Sequence, residues 1–596
     1  MNIYTVTIFI SILVYIGIGN FAGRKVKDLD DYVVAGRNAS TLMIVGTLVA
    51  SFTSTNTFLA ESGMAYGANA GGWLLMPPIF ASGYVYGAVF FGRYLRRSRA
   101  LTVAEFFGRR FNSHRVRLVA GATVIVGIGC YLIAVTQGAA LILSELAGLE
   151  YRTALLIVWF SYTSFTLYSG SRGVVITDTL MFLLFTFVTV FALYAILDAH
   201  GGWLVALDQI AHLDTKPNLL EWYGELGPER NWQTPAEYLI WFVIVAFAWS
   251  FVTAISPWQS SRYLMAKNEH VVLRSACIAA IAVIAMRELL FAGAAVVNAS
   301  NPDIEPFEKV MIWASLNVMP AMLGALVMAG VVAAALSSAT TFLSIVGFNM
   351  SNDILGRRDD TDRSALRYSR LMMLATSVVA LIVSLSFEPQ IFWLTYFAGT
   401  LFASAWGPVA LMSVWSKRIT AAAAMWGIVA GFLGNVIPKL LSLAGVVEWP
   451  VYLDPILIGA VLSLVTVLWV SRFTQVTEEE REYRASLFVA PTEDVEQGKI
   501  AGTLKIAHLT GAFGLLSAVL LIVSFVLPYR DIKGLPLSGV WFSPEAALAG
   551  SWVLTYGFCA YLVIYAARRS YVRRLTDKGN SSAPYESASG TPSHRD

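Results

Sequence analysis

Residues 333–342 read Ala-Ala-Ala-Leu-Ser-Ser-Ala-Thr-Thr-Phe, inside a long apolar segment. Ala334, Ser337, Ser338 and Thr341 fall at i, i+3, i+4 and i+7, so at about 100° per residue they share one face of a helix. Three hydroxyls and a small residue held in hydrocarbon offer a hard cation neutral oxygen ligands and room to approach the backbone. Far upstream, Asp178 sits near the start of another apolar segment. A carboxylate in a membrane helix is costly and marks an ion or proton path. Together the two features point to cation-coupled transport.

Composition sets the frame. The chain of 596 residues is 57% hydrophobic and 14% charged, with a mean hydropathy of +0.63. That is too apolar for a soluble protein of this size and places it among polytopic membrane proteins, with the bilayer as partner and no nucleic acid expected. The net charge of +3 says little by itself. Cys130, Cys277 and Cys559 lie in apolar segments, so neither a disulfide framework nor a CxxC pair is expected. The histidines, at 114, 200, 212, 270, 508 and 594, are not paired at ligand spacing, which argues against haem or zinc. The first apolar stretch, Ile3 to Ile18, lacks a basic n-region and a cleavage site, and reads as an uncleaved helix.

A span needs about 20 apolar residues. That criterion predicts about fifteen helices, centred near residues 12, 54, 84, 131, 160, 187, 247, 285, 334, 377, 402, 430, 462, 516 and 557. With this count the basic clusters, from Arg24/Lys25/Lys27 to Arg568–Lys578, all land on one side. The positive-inside rule makes that side cytoplasmic, with the N-terminus outside, the C-terminus inside and the chain in the plasma (bacterial inner) membrane. The expected organisation is a first helix and cytoplasmic loop over 1–40, then two five-helix blocks over 41–199 and 237–418. An external loop at 200–236, carrying Trp203, Trp222 and Trp232, separates them and could act as a lid. Two accessory helices follow over 419–474, then a charged cytoplasmic linker over 475–504, two C-terminal helices over 505–570 and a Ser/Pro/Gly-rich tail over 571–596, expected to be disordered. An odd number of helices per block inverts the second block relative to the first, as in inverted-repeat transporters, although the two blocks have no convincing sequence identity.

The helix near residue 54 contains Ala50-Ser-Phe-Thr-Ser-Thr-Asn-Thr-Phe58, an unusual density of hydroxyl and amide groups for mid-membrane. Two readings exist. The hydroxyls could bond back to the preceding turn and only bend the helix. Alternatively the helix is unwound here, and its freed carbonyls and side chains face a cavity for ion and substrate.

At this point the chain resembles the sodium/solute symporter family, whose members carry sugars, proline, sialic acid and monocarboxylates. The resemblance covers roughly residues 5–475. It rests on the order and helical placement of D-Y-V-V-A-G-R (31–37), G-S-R-G-V-V-I-T-D (170–178), S-P-W-Q-S-S-R-Y-L-M-A-K (256–267), A-A-A-L-S-S-A-T-T (333–341) and W-S-K-R-I-T-A-A-A-A-M-W-G (415–427). It implies an all-α, LeuT-type 5+5 inverted-repeat core with one N-terminal and four C-terminal helices. It also implies a sodium site formed by the carbonyls of Ala50, Thr53 and Ala334 and the hydroxyls of Ser337 and Ser338. A second sodium site, found in some members, would pair Asp178 with Ser337, Thr340 and Thr341. Neutral oxygens suit a hard, weakly held ion that must leave again. The alternative for Asp178 is a carboxylate reaching the interface beside Arg172. The chain departs from the family pattern at Ile176, Met181 and Ser261. Glu61, just beyond the polar run, is a further departure and reads either as a gate or as a solvated vestibule carboxylate.

Arg287 and Glu288 lie mid-helix in I-A-V-I-A-M-R-E-L-L-F. Adjacent helical residues point about 100° apart and cannot neutralise each other face to face. An arginine in the cavity suits a carboxylate; a structural ion pair with another helix is the alternative. The expected substrate cavity is lined by Ser51, Phe52, Ser54, Asn56, Thr57, Gln137, Trp249, Thr253 and Arg287. A channel would show a pore helix or repeated filter, and an enzyme a metal motif or a nucleophile with its base; none is visible. A transporter-like sensor is harder to separate. The expectation is a sodium-driven symporter for a small organic solute, a carboxylate before an amino acid or sugar, working by alternating access. Stoichiometry and oligomeric state are left open.

Overall fold

In hydrocarbon a chain must satisfy its backbone N–H and C=O groups internally, and these apolar runs do so as helices. The computed structural model describes residues 3–24, 28–76, 78–228, 230–356, 362–389 and 391–572, and contains no β-strand among them. Most of the tail and parts of two basic clusters, Lys25/Lys27 and Arg357/Arg358, lie outside the described residues. Twelve of the described helices are long and apolar enough to cross a membrane, or thirteen when the bent pair Thr41–Phe52 and Asn56–Leu75 is taken as one. The two remaining expected spans are also helical. One runs from Pro78–Gly87 through a π-turn into Arg93–Ser98. The other is the first part of Tyr151–Ala199, which Gly170 (φ 54°, ψ −158°) divides in two. Only glycine adopts that conformation readily, and a Cβ there would stand 2.4 Å from the Tyr32 ring.

Helix starts follow local chemistry. Ser40, Ser113, Thr234, Asn268 and Thr420 each accept a hydrogen bond from a backbone N–H of the first turn, and Pro235 occupies the first position after Thr234. The helix that opens each five-helix block is interrupted. In the first block residues 53–55 separate Thr41–Phe52 from Asn56 with a bend of 57°. In the second, Ser256 (ψ 147°) separates Pro235–Ile255 from Pro257–Met265, which opens on a proline.

The hydroxyl-striped helix Ala321–Phe348 is buried among His114–Ala147, Tyr151–Ala199 and Ile3–Gly23. The accessory helices Ala421–Leu443 and Pro455–Phe473 pack on Ile391–Trp415, and the final pair, Gln497–Leu521 and Pro544–Ala567, packs on Pro78–Gly87 and Glu269–Val297. The penultimate helix begins at Gln497, earlier than the expected 505. Its polar first turns are held by Thr503 Oγ1, 2.8 Å from His270 Nδ1 and 3.1 Å from Arg274 Nε. The linker contains a short helix, Glu478–Ser486, with a reciprocal Thr477/Glu480 cap; Glu480 Oε1 accepts from Ala421 N at 2.9 Å.

The 200–236 loop contains the helix Trp203–Ala211 and lies over the end of the broken helix. Lys216 Nζ donates to Tyr66 O (3.2 Å) and Asn298 Oδ1 (2.7 Å), and burial pushes its ammonium down to about 8.

Close helix contact also fixes one wall of the site. A Cβ on Gly83 would stand 1.9 Å from Ser250 O and 2.1 Å from Thr253 Oγ1. Gly83→Ala is therefore expected to cost about 1–3 kcal/mol, read as a lower Tm of the detergent-solubilised protein. An unchanged Tm would mean that Pro78–Gly87 and Pro235–Ile255 have room to separate.

Candidate ion and substrate site

The site is built around the break at residues 53–55. In an unbroken helix the amides of Ser54 and Thr57 would serve the carbonyls of Ala50 and Thr53. Here Ser54 N donates to Phe52 O (3.0 Å) and Thr57 N to Ser54 O (3.0 Å), so both carbonyls lose their helical partners. The unwound reading of the polar run is the one the backbone adopts. Thr53 Oγ1, Thr55 Oγ1, Asn56 Oδ1, Thr57 Oγ1, Gln259 Oε1 and Ser338 Oγ are buried and lack a hydrogen-bond partner among the described residues. Buried polar atoms are ordinarily paired, so this concentration marks a place built to hold something polar.

Asp178 ties the two halves of the ion region together. It is fully buried; its Oδ2 accepts from Thr47 Oγ1 at 2.6 Å, and its Oδ1 accepts from Ser337 Oγ at 2.5 Å. Thr47 lies on Thr41–Phe52 and Ser337 on Ala321–Phe348, so one carboxylate clamps the two helices. A hydroxyl that donates its proton to a carboxylate keeps its lone pairs free and enriched for a cation. Arg172 does not serve Asp178; its Nη1 donates to Asp31 Oδ1 at 2.6 Å. The cation beside Asp178 is Arg262, whose Nη2 lies 3.8 Å from Asp178 Oδ2 and donates to Thr341 Oγ1 at 2.5 Å. Thr340 Oγ1 donates to Ser337 O at 2.8 Å.

Above the break, Arg287 donates through Nη2 to Glu61 Oε2, and Asn56 Nδ2 donates to Glu61 Oε1 at 2.9 Å. Arg287 thus reaches across to another helix, not to its neighbour Glu288. Its guanidinium lies 4.9 Å from the ring centre of Phe52, 5.6 Å from that of Phe80 and 6.0 Å from that of Phe291. Phe52 also meets Trp249 edge-on at 5.6 Å. Arg287 Nε and Nη1 lack partners among the described residues. Phe52, Asn56, Glu61, Trp249 and Arg287 therefore form one cluster.

Other expected lining residues are engaged differently. Ser51 Oγ donates to Thr47 O (2.6 Å) and accepts from Gln259 Nε2 (3.4 Å). Ser54 Oγ accepts from Asn56 N (3.3 Å). Thr253 Oγ1 is spent on the carbonyls of Phe80, Trp249 and Ser250 against Gly83. Gln137 Nε2 brackets the carbonyls of Ser384 (3.4 Å) and Phe387 (3.3 Å), while its Oε1 lacks a partner among the described residues. Thr47, Gln259 and Arg262 were missed as site residues. The signal available in the sequence was the position of Thr47 one turn before Ser51 and the string S-P-W-Q-S-S-R (256–262) that holds Gln259 and Arg262.

Comparison with known proteins bears on the family and the fold. The family model described as the sodium:solute symporter family matches residues 32–431. The sodium/pantothenate symporter of Escherichia coli (strain K12) is 26% identical over 476 residues, covering 78% of this chain and 95% of that relative. The high-affinity proline transporter PutP of Bacillus subtilis (strain 168) is 22% identical over 490 residues, covering 79% and 99%. Among solved structures, a sodium-coupled sialic acid symporter in a substrate-bound outward-open state superposes with a TM-score of 0.65 at 17% identity, over 80% of this chain and 99% of that one. The transporter Mhp1 in a closed conformation gives 0.50 at 12% identity, over 76% and 98%. These two share the fold.

Proposed function

Since the chain belongs to the sodium:solute symporter family, we propose that it imports a small carboxylate-bearing solute together with sodium. The observation that carries this reading is the set of polar groups in and around the break that lack a partner among the described residues: the released carbonyls of Ala50 and Thr53, the Ser338 hydroxyl, and Nε and Nη1 of Arg287. Sodium binds the carbonyls of Ala50, Thr53 and Ala334 with the hydroxyls of Ser337 and Ser338. The solute carboxylate binds Arg287, with Glu61 as the gate it displaces. Ser51, Phe52, Ser54, Asn56, Thr57, Gln137, Trp249 and Thr253 line or support the cavity. Pantothenate, proline and sialic acid, the solutes named for the relatives, all carry a carboxylate. A zwitterionic amino acid is the second reading, favoured by the Glu61–Arg287 pair, because it would meet both charges.

A second sodium binds Asp178 with Ser337, Thr340 and Thr341, and Arg262 is the cation that covers this carboxylate when sodium has left. Such an exchange avoids stranding an uncompensated buried charge, which is strongly destabilising. Sodium bridging the broken helix and Ala321–Phe348 stabilises the outward-open state, and its loss to a low-sodium cytoplasm lets the inward state empty. Differential binding to the two states couples the gradients. The N-terminus faces outside and the C-terminus the cytoplasm of the cell that bears the protein in its inner membrane.

Counterflow of labelled organic acids, amino acids and sugars in proteoliposomes, with and without sodium, tests the reading. Carboxylate uptake that needs sodium is expected. Binding without counterflow would make the protein a sensor, and sodium-driven uptake of neutral sugars alone would overturn the carboxylate assignment. Asp178→Asn is expected to lower the charge moved per solute, since a neutral amide loses the attraction to sodium. An unchanged charge-to-solute ratio would leave Asp178 as a structural clamp between Thr47 and Ser337 beside Arg262, without a sodium.

A further inference from the structure

A cavity lies between the short helix Arg93–Ser98, the end of the last helix, and linker residues Phe488 and Ala490. It has a volume of about 260 Å³. Arg93, Arg97 and Arg569 line it together with Tyr94, Tyr561 and Tyr565.

The charges there do not cancel. Arg97 is matched by Glu269, with Nε–Oε1 at 2.5 Å and Nη2–Oε2 at 2.7 Å. Arg93 is 4% exposed and makes no ion pair among the described residues; it donates to Val89 O (3.0 Å), Ser570 Oγ (2.7 Å) and Tyr94 Oη (3.0 Å), all neutral. Arg569 likewise donates to a neutral acceptor, Tyr565 Oη, at 2.9 Å. A guanidinium this deeply buried without a counter-ion is costly, and both arginines keep N–H donors to spare.

The cavity opens onto an apolar track. Leu554 (75% exposed), Phe558 (52%), Tyr561 (59%) and Tyr565 (48%) follow one another at i, i+4, i+7 and i+11 on the outer face of Pro544–Ala567. The rings of Phe558, Tyr561 and Tyr565 form a stacked file, with neighbouring centres 6.4 and 6.1 Å apart. A ligand fitting both parts has an anionic head for the arginines and a hydrocarbon tail for the track. Basic pockets between membrane helices hold lipid headgroups in this way.

We propose that this cavity binds the phosphate of an anionic phospholipid, with one acyl chain laid along the outer face of the last helix. The last helix thereby acquires a role: it completes a lipid site against Arg93–Ser98.

Native mass spectrometry of the full chain, released from detergent with phosphatidylglycerol or phosphatidylcholine, tests this. Preferential retention of phosphatidylglycerol is expected, weakened roughly fivefold by Arg93→Gln and again by Arg569→Gln. Equal retention of the two lipids overturns the proposal, as does phosphatidylglycerol binding unaffected by Arg569→Gln. Arg569 is exposed, so that variant remains informative if Arg93→Gln fails to fold. Inorganic phosphate forms the second arm: if it binds alone and displaces phosphatidylglycerol at equal concentration, the site belongs to a free phosphate and the lipid assignment is overturned.

Discussion

Sodium-driven uptake by an Arg287→Gln protein is expected to show a half-saturation constant for a carboxylate solute raised roughly tenfold to a hundredfold, the scale of a lost hydrogen bond to a charged group. Arg287→Lys is expected to keep weak uptake, because it retains the charge but not the planar fork. Arg287 is also the partner of Glu61, and both side chains are buried. Removing one member of a buried pair costs about 3–5 kcal/mol by stranding the other. The double variant Glu61→Gln, Arg287→Gln is therefore expected to recover expression without recovering carboxylate affinity. That combination separates a folding defect from a binding defect. A near-normal half-saturation constant in Arg287→Gln would point instead to a neutral solute or to the zwitterionic reading.

The second large effect concerns the hydroxyl stripe. Ser338→Ala is expected to shift sodium activation of uptake by roughly tenfold, the scale of one lost strong ligand contact, while expression stays intact. The Ser338 hydroxyl has no hydrogen bond to lose among the described residues, so its removal is expected to leave folding intact. Ser337→Ala should behave differently, because that hydroxyl also donates to Asp178. It is expected to weaken sodium activation and to loosen the clamp between Ala321–Phe348 and Thr41–Phe52, lowering the Tm as well. Sodium titrations of initial rates, paired with thermal melts, read both outcomes. An unchanged sodium dependence in Ser338→Ala would remove this residue from the ion site.

The parts of this architecture that were legible in the sequence are those written locally. Helix spacing placed Ser337, Ser338 and Thr341 on one face, and the polar run 50–58 announced a break that the backbone makes. Both signals are periodic or compositional, so a single stretch carries them. The pairing of Arg287 was not legible in the same way. An ion pair with another helix was the open alternative to a substrate contact, with Glu288 and Glu61 both candidates to neutralise the charge; the partner is Glu61, 226 positions away in sequence. Asp178 was weighed against Arg172, six residues away, yet Arg172 pairs with Asp31 and Arg262 stands beside Asp178. Thr253 is polar and falls on the right helix, but close packing against Gly83 consumes its hydroxyl. Spacing along one helix predicts which residues share a face; which face meets which depends on how several helices pack.

The break at residues 53–55 also partitions the labour of the helix that contains it. Ala50 lies in the last turn of the preceding helix and Thr53 opens the break, while Asn56 and Glu61 belong to the following segment, and Arg287 comes from a different helix again. In the proposed assignment Ser51, Phe52 and Ser54 interleave with the ion ligands Ala50 and Thr53, whereas Asn56, Glu61 and Arg287 stand apart from them and can be exchanged separately. An effort to retarget this protein to a new solute can randomise positions 56, 61 and 287 while leaving every proposed sodium ligand untouched. The engine need not be rebuilt when the passenger changes.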